Sequence, residues 1–316
     1  MQRVLDPAQI EAFAQRTIPR IRLPDPASVF SARGARLRKL SEGHAVGDYL
    51  RLMAALADAQ QEALASHPDE SPGWNNERLR LAREHGMPPL QASAWARDER
   101  WRTVLYRLCD AIASAPGYPD AVAAICRRIQ ATPVAKLEAQ ADLLLGADGA
   151  GVGTGTQIDA STAPFIMAAL QVHWTRLLAS FSHDEVSEHL GGVDVPGVCP
   201  VCGTLPVASI VRAEKAYQGY RYLHCALCAT EWHLVRIKCS HCESTEGIHY
   251  QSIEGGSPAI RAEACDSCKS YRKICYQEHD IDVEPLADDL ASLALDLLMT
   301  EAGFQRASGN PLLWQA

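Results

Sequence analysis

The sequence lacks the apolar segments that would carry a chain into or across a membrane. Its first residues hold no hydrophobic stretch of the kind that a secretory signal requires. No run along the 316 residues approaches the roughly 18 apolar residues of a membrane-spanning helix. We therefore expect a soluble, cytoplasmic protein without a membrane span.

Motifs of catalysis are also missing. The chain contains no Gly-x-Ser-x-Gly nucleophile turn, no His-Glu-x-x-His zinc-protease motif and no Gly-Lys-Ser/Thr phosphate loop. The adjacent acids Asp288 and Asp289 fall in the first turn of a predicted helix, where the helix dipole favours carboxylates. We therefore predict that the protein is not an enzyme.

Positive charge is scarce where it would matter for nucleic-acid binding. Residues 191–316 carry 10 Lys or Arg against 16 Asp or Glu, and residues 1–190 carry 20 against 22. Non-specific affinity for nucleic acid comes mainly from neutralising phosphates. A zinc-ribbon protein that binds nucleic acid is an alternative function, but the excess of negative charge disfavours it.

Cysteine, by contrast, is abundant and regularly spaced. Eight of the 11 cysteines form four Cys-x-x-Cys pairs, and 40 residues separate both Cys199 from Cys239 and Cys225 from Cys265. The pairs are Cys199/Cys202, Cys225/Cys228, Cys239/Cys242 and Cys265/Cys268. Each Cys-x-x-Cys turn, or knuckle, aims two sulfurs at one point, so two knuckles complete a four-thiolate site. The duplicated unit predicts two metal ions, each bound tetrahedrally by four cysteines.

The knuckles can be paired in two ways. In the sequential scheme the first two knuckles form one site and the last two form the other; in a cross-brace the sites interleave. The tandem repeat favours the sequential scheme, because each copy is then complete alone. In both schemes thiolates fill every position, and a closed site is structural or electron-carrying rather than hydrolytic. His224 and His241 adjoin ligands, but the sulfurs already fill both shells.

The residues leave the identity of the metal open. Four thiolates suit Zn²⁺ and a single iron ion equally well. A rubredoxin-type iron site usually has glycine after the knuckle, because a left-handed backbone there lets amides point at sulfur. Gly203 follows the first knuckle, whereas Ala229, Glu243 and Lys269 follow the others.

Apolar periodicity divides the chain into a helical half and a strand-rich half. Predicted helices span about 47–67, 95–115, 119–130, 133–145 and 162–181. Predicted strands follow near 207–212, 220–224, 232–238, 248–253 and 259–264. A last helix is predicted from Pro285 to about Thr300, with Leu286, Leu290, Leu293 and Leu297 as its apolar stripe.

These elements predict an α+β multidomain chain. An all-α domain (1–190) precedes two tandem rubredoxin-like or zinc-ribbon modules (191–238 and 239–280), and a C-terminal helix and tail (281–316) complete it. Each module has the order knuckle, strand, turn, strand, knuckle.

The residues around the cysteines have a familiar pattern. They are Cys199–Gly203, Arg221–Cys228, Glu231–His233, Arg236–Cys239, Arg261–Cys268 and Ala287–Ala291. This pattern resembles the formate dehydrogenase accessory protein family, FdhE. The resemblance is specific from Cys199 to about Leu298 and rests on general character and length over the helical half.

The resemblance implies a cytoplasmic assembly factor that is needed for active formate dehydrogenase, a molybdenum or tungsten iron–sulfur enzyme, and that binds its catalytic subunit. It implies rubredoxin-like ribbons associated with iron, so iron is the favoured metal and zinc the alternative. All eight paired cysteines are present, and metal binding carries over position by position. An iron redox protein that delivers electrons during cofactor maturation is the alternative function, and self-association is possible.

Five side chains of the cysteine region are of the types that anchor protein interfaces. They are Tyr220, Arg221, Tyr222, Trp232 and Arg236. The sequence leaves open whether Trp232 lies in the core or at an interface.

Overall fold

The computed structural model describes residues 20–66, 76–146, 158–179, 181, 197–214 and 218–313. Within these ranges the chain is mixed α+β, as the sequence predicts, with helices before most of the sheet and a two-residue strand, Ile21–Arg22, before the first helix. The boundary expected at residue 190 lies outside the described residues.

Helices make up most of the described chain before the cysteine region. They are α1 (Val29–Ser41), α2 (Gly47–Ala65), α3 (Asn76–Glu84), α4 (Arg100–Ser114), α5 (Asp120–Gln130), α6 (Val134–Leu144) and α7 (Ala163–Ala179). Among these helices and those of the C-terminal region, none has the length and apolarity that a membrane crossing requires.

Helix α4 buries an apolar face at helical spacing, whereas α1 and α3 both lie outside the predicted helices. On α4, Trp101, Leu105 and Leu108 recur at helical spacing and are fully buried. Helix α1 has no counterpart among the predicted helices. Its buried face includes Arg33 and Arg36, which interrupt the apolar pattern on which the prediction depends.

The strands form a single sheet in the described residues. They are β1 (Ile21–Arg22), β2 (Pro206–Val211), β3 (Arg221–Cys225), β4 (Glu231–His233), β5 (Ile248–Gln251), β6 (Ile260–Cys265), β7 (Ser270–Tyr276) and β8 (Gln305–Arg306). Their order is β1-β4-β3-β2-β7-β6-β5, and β8 pairs with β7. The first ribbon supplies β2 to β4 and the second supplies β5 to β7, so one sheet runs through both ribbons.

The seam between the ribbons is the parallel pairing of β2 with β7, in which Ser209 lies opposite Ile274 and Ile210 opposite Cys275. Every residue of β7 is buried. The predicted strands omit β7 because its centre carries Arg272 and Lys273, which are polar in sequence yet only 3% and 1% exposed. Both cations have buried hydrogen-bond acceptors, such as the Ser240 hydroxyl for Arg272.

The C-terminal helix differs from its prediction. It is broken into α8 (Pro285–Ala291) and α9 (Leu293–Glu301) at Ser292, whose φ of −114° and ψ of 37° are not helical. The Ser292 hydroxyl donates a hydrogen bond to the Asp288 carbonyl, 2.6 Å away. Leu286 is buried, whereas Leu297 is 68% exposed, so the predicted continuous stripe is wrong beyond the break.

Asp288 and Asp289 do more than compensate the helix dipole. Asp288 accepts a hydrogen bond from the Glu284 amide at 2.7 Å, which is a capping contact. Its two carboxylate oxygens also accept hydrogen bonds from Nε and Nη2 of Arg36, at 2.9 and 2.6 Å. Asp289 pairs with Arg306. These buried ion pairs join α8 to α1 and to the strand β8.

Candidate metal centres

The first cluster forms where hairpin pairing brings two knuckles side by side. The knuckle at 199–202 precedes β2, the knuckle at 225–228 begins at the last residue of β3, and the two strands are antiparallel. The Sγ atoms of Cys199 and Cys228 are 3.6 Å apart, and those of Cys202 and Cys225 are 3.4 Å apart. All four sulfurs lie within 4.8 Å of one another.

The second cluster repeats this arrangement. The knuckle at 239–242 precedes β5, the knuckle at 265–268 begins at the end of β6, and the two strands are antiparallel. The Sγ atoms of Cys239 and Cys268 are 3.9 Å apart, and those of Cys242 and Cys265 are 3.7 Å apart. These four sulfurs also lie within 4.8 Å of one another.

The donor sets fit a tetrahedral ion. A Zn–S bond of ~2.3 Å places ligand sulfurs about 3.8 Å apart in a tetrahedron, close to the four separations given above. A disulfide would require about 2.0 Å, and all eight cysteines are free thiols. The structure brings together the two sequential sets and not the interleaved ones.

The residue after each knuckle has a left-handed backbone whether or not it is glycine. The φ angle is 74° at Gly203, 55° at Ala229, 63° at Glu243 and 53° at Lys269. The three side-chain-bearing residues are the non-glycine positions with positive φ in the described part of the chain. Such residues cost about 1–2 kcal/mol each. Because this backbone strain recurs at the equivalent position of each knuckle, we infer that the knuckle requires it to point both sulfurs at one site.

Backbone amides and hydroxyls surround the sulfurs. The amides of Leu227 and Cys228 donate to Cys225 Sγ at 3.4 and 3.3 Å, and the His241 amide donates to Cys239 Sγ at 3.4 Å. Hydrogen bonds to a thiolate stabilise its charged form. These contacts make the knuckles suitable for four ionised sulfurs around one cation.

Hydroxyl residues form a second repeated feature, one that the cysteine spacing alone does not reveal. Thr204 Oγ1 lies 3.1 Å from Cys202 Sγ and 3.0 Å from Cys225 Sγ. Thr230 and Ser270 stand 3.1 and 2.9 Å from Cys228 and Cys268. The sequence pattern that predicts these hydroxyls is Cys-x-x-Cys-x-Ser/Thr, which occurs four times; Ser244 occupies the hydroxyl position after the third knuckle. Ser244 instead bonds Ser267 at 3.0 Å.

The helical half holds the first cluster directly. The amides of Leu90 and Ala92 donate to the carbonyls of Val201 and Cys202, at 2.9 and 2.8 Å. The Trp174 indole fixes this segment from α7 by donating to the Leu90 carbonyl at 3.1 Å. Through these bonds the main hydrophobic core continues from the helices to the sulfurs of the first cluster.

The second cluster is held from the sheet. Arg272 on β7 donates to the Ser240 hydroxyl at 2.9 Å, and Arg221 on β3 donates to the Lys238 carbonyl at 3.0 Å. Its sulfurs do not belong to the main core, and Cys242 is exposed.

The histidines beside the ligands do not join the clusters. The Nδ1 atom of His224 is 3.2 Å from Glu231, and neither His224 nor His241 belongs to a cluster of metal-binding geometry. Burial alone would raise the pKa of Glu231, but Arg212 and His224 more than offset it and lower that pKa to about 2. Glu231 is therefore an ionised partner that fixes His224 away from the sulfurs.

The remaining cysteines are buried outside the clusters. Cys109 and Cys126 lie in α4 and α5, and Cys275 lies in the seam, where burial raises the pKa of its thiol. As a protonated, inaccessible thiol, Cys275 is a packing residue.

The side chains considered as interface anchors are mostly internal. Trp232 is 5% exposed, and Arg221 and Tyr222 are fully buried, so these three stabilise the sheet rather than a docking surface. Tyr220 is half-buried, and Arg236 is exposed.

Comparisons with known proteins agree along the chain. Three family models match: FdhE, N-terminal at residues 18–191; FdhE, central domain at 198–236; and FdhE, C-terminal domain at 237–313. A protein FdhE homolog of Cronobacter sakazakii is 40% identical over 315 residues, covering 99% of this chain and 97% of its own. Protein FdhE of Salmonella paratyphi A is 38% identical with the same coverage.

A solved structure resembles the fold as well. The crystal structure of the FdhE protein from Pseudomonas aeruginosa superposes with a TM-score of 0.76 at 40% identity, over 93% of this chain and 99% of that one. Identity of this level over nearly whole chains, together with family matches over the helical half and over both cysteine clusters, shows that the chain belongs to the FdhE family.

Proposed function

We propose that the protein is a cytoplasmic accessory factor that binds the catalytic subunit of formate dehydrogenase and is required for that enzyme's maturation. Membership of the FdhE family makes the chain a formate dehydrogenase accessory protein and not an enzyme. Binding to the catalytic subunit and action in the cytoplasm are what the family resemblance implies.

The observation that carries the proposal is the pair of four-thiolate clusters, which have the same geometry in both ribbons. Four protein sulfurs leave no coordination position for a substrate. Metal binding can contribute roughly 10 kcal/mol or more to the folding of a small ribbon. The clusters are therefore suited to hold a rigid surface for a partner rather than to carry out hydrolysis.

We assign one ion to each cluster, bound by Cys199, Cys202, Cys225 and Cys228 in the first and by Cys239, Cys242, Cys265 and Cys268 in the second. Iron is favoured by the family resemblance, and zinc is the alternative. The left-handed residue after every knuckle supports iron as well as zinc, because Ala229, Glu243 and Lys269 adopt the backbone that glycine would supply. Elemental analysis after anaerobic purification should find two ions per chain and separates the two metals.

A capture experiment tests the partner. Tagged protein is mixed with the catalytic subunit of formate dehydrogenase before its cofactors are inserted, and we expect wild-type protein to retain it. The double variant Cys199→Ser/Cys202→Ser should retain at least about tenfold less. Cys109→Ser is the matched control, since Cys109 is equally buried but lies outside both clusters. Equal retention by wild-type protein and the double variant would refute the proposal.

A redox role is the second candidate, and the amide donors at Cys225 and Cys239 favour it. Hydrogen bonds to sulfur are among the features that set the potential of iron–thiolate centres. Iron-loaded protein should then show visible absorption that bleaches reversibly when it is reduced. A colourless zinc-only protein that supports maturation would eliminate this role.

A further inference from the structure

The two clusters differ in how far solvent reaches their sulfurs. In the first, none of the four cysteines is more than 1% exposed. In the second, Cys239 and Cys265 are buried, Cys268 is half-buried and Cys242 is exposed. The same ligand set is therefore built once inside the protein and once at its surface.

The cause is the contact with the helical half. The segment that contains Leu90 and Ala92 pairs with the first knuckle, and Gln171 on α7 donates to the Ala226 carbonyl of the second knuckle at 2.8 Å. These bonds place residues of the helical half against both knuckles of the first cluster. The second cluster has polar surface neighbours instead, such as the Lys238–Glu243 ion pair at 2.5 Å.

Exposure decides how a closed site can exchange its ion. A tetrahedral thiolate site loses or passes on its metal when an entering donor reaches the ion, which requires a path past one sulfur. Cys242 leaves such a path. At the first cluster the same step requires separation of the helical segment from the knuckle, with loss of its backbone hydrogen bonds and of core packing.

We propose that the second cluster is an exchangeable metal site and the first a permanent one, with Cys242 as the ligand that a soft outside donor, such as a thiolate, displaces. This inference rests on the metal binding proposed above. In the exchange the entering thiolate takes the position that Cys242 Sγ leaves, and no electron is transferred. If the ion departs, the freed sulfurs take up protons from water.

The ribbon around the second cluster can survive the loss of its ion. Strand β6 keeps four paired positions with β5 and six with β7. Apolar contacts among Ala262, Tyr271 and Met299 hold the same strands to α9 without using any of the four sulfurs. Release at this site is therefore separate from unfolding, whereas the sulfurs of the first cluster are part of the main core.

The test follows metal release from the full chain loaded with zinc. Elemental analysis first counts the ions, and a count below two would count against the proposed metal binding rather than against exchange. A coloured small-molecule chelator then reports release with time. We expect two phases of one ion each, with the fast phase at least about tenfold faster and far-ultraviolet circular dichroism unchanged after it. A single phase that releases both ions would overturn the inference.

Variants and alkylation locate the fast phase. Cys242→Ser should purify with one ion and show the slow phase alone, whereas Cys109→Ser should keep both phases. Iodoacetamide added to wild-type protein after the fast phase should label Cys242 and Cys268, with Cys199 and Cys228 protected, as read by peptide mass spectrometry. Labelling of the first cluster before the second would contradict the assignment, and this measurement needs no variant to fold.

Discussion

Substitution of Gly203 by alanine tests the contact between the helical half and the first knuckle. Gly203 has a φ of +74°, and a Cβ atom built there would stand 3.3 Å from Pro88 Cγ. The equivalent positions of the other three knuckles carry Ala229, Glu243 and Lys269. A side chain is thus compatible with the knuckle itself, and what distinguishes Gly203 is the proline from the helical half.

The expected change in stability has three contributions. The left-handed backbone costs alanine about 1–2 kcal/mol, and the lower entropy of the unfolded chain returns about 0.4–1 kcal/mol. Crowding against Pro88 adds roughly 1 kcal/mol, the low end of the range for overpacking. We therefore expect Gly203→Ala to lower the free energy of unfolding by about 1–2.6 kcal/mol.

Urea denaturation of metal-loaded protein measures this loss, and two further variants separate its parts. Gly43→Ala is the matched control, because Gly43 has a φ of +66° and no atom within 4 Å of a built Cβ; it reports strain alone. Pro88→Ala combined with Gly203→Ala should recover the crowding part, so the double-mutant cycle should give a coupling near 1 kcal/mol. A coupling of zero, or equal losses for the two glycine variants, would refute the proposed contact.

Three other perturbations have definite expected outcomes. Arg36→Gln leaves the buried Asp288 carboxylate without its guanidinium partner and should lower the free energy of unfolding by about 3–5 kcal/mol, as measured by urea denaturation. The double variant Arg36→Gln/Asp288→Asn should regain part of this stability, and no recovery would contradict the prediction. Burial lowers the pKa of His173 to about 4, so the unfolded chain binds the proton first and stability falls as pH drops below about 6.5. Between pH 7 and 5.5 wild-type protein should lose about 1 kcal/mol that His173→Phe does not lose, and parallel slopes for the two proteins would contradict this. Prolonged chelation that removes both ions should reduce helical circular dichroism as well as sheet signal, because the first cluster lies in the main core; an unchanged helical signal would show that the core does not depend on the metal.

The cysteine clusters were accessible to sequence reasoning because their information is local. A Cys-x-x-Cys turn is short, its repetition is visible in the spacing, and antiparallel pairing within each copy requires little else. The same holds for α4, whose apolar face is written at helical spacing. Sequence reasoning succeeds where one segment determines its own neighbours.

It fails where a distant segment supplies the partner. Arg272 and Lys273 make β7 look like a surface segment, and only their acceptors on other elements allow it to be a fully buried strand inside the sheet. Trp232 has the same ambiguity, since an aromatic residue suits both a core and an interface. The unequal burial of the clusters depends on contacts across more than 100 residues, from Ala92 to Cys202, and no pattern near the cysteines contains it.

The short strand β1 has a consequence for the independence of the two halves. Ile21 lies opposite Trp232, so residues that precede the helices in sequence pair with a strand of the first ribbon, which follows the helices. Leu223 and Trp232 pack into the core that the helices supply. A fragment with the ribbons alone would present these side chains to water, so we expect the helical half and the first ribbon to melt together rather than separately.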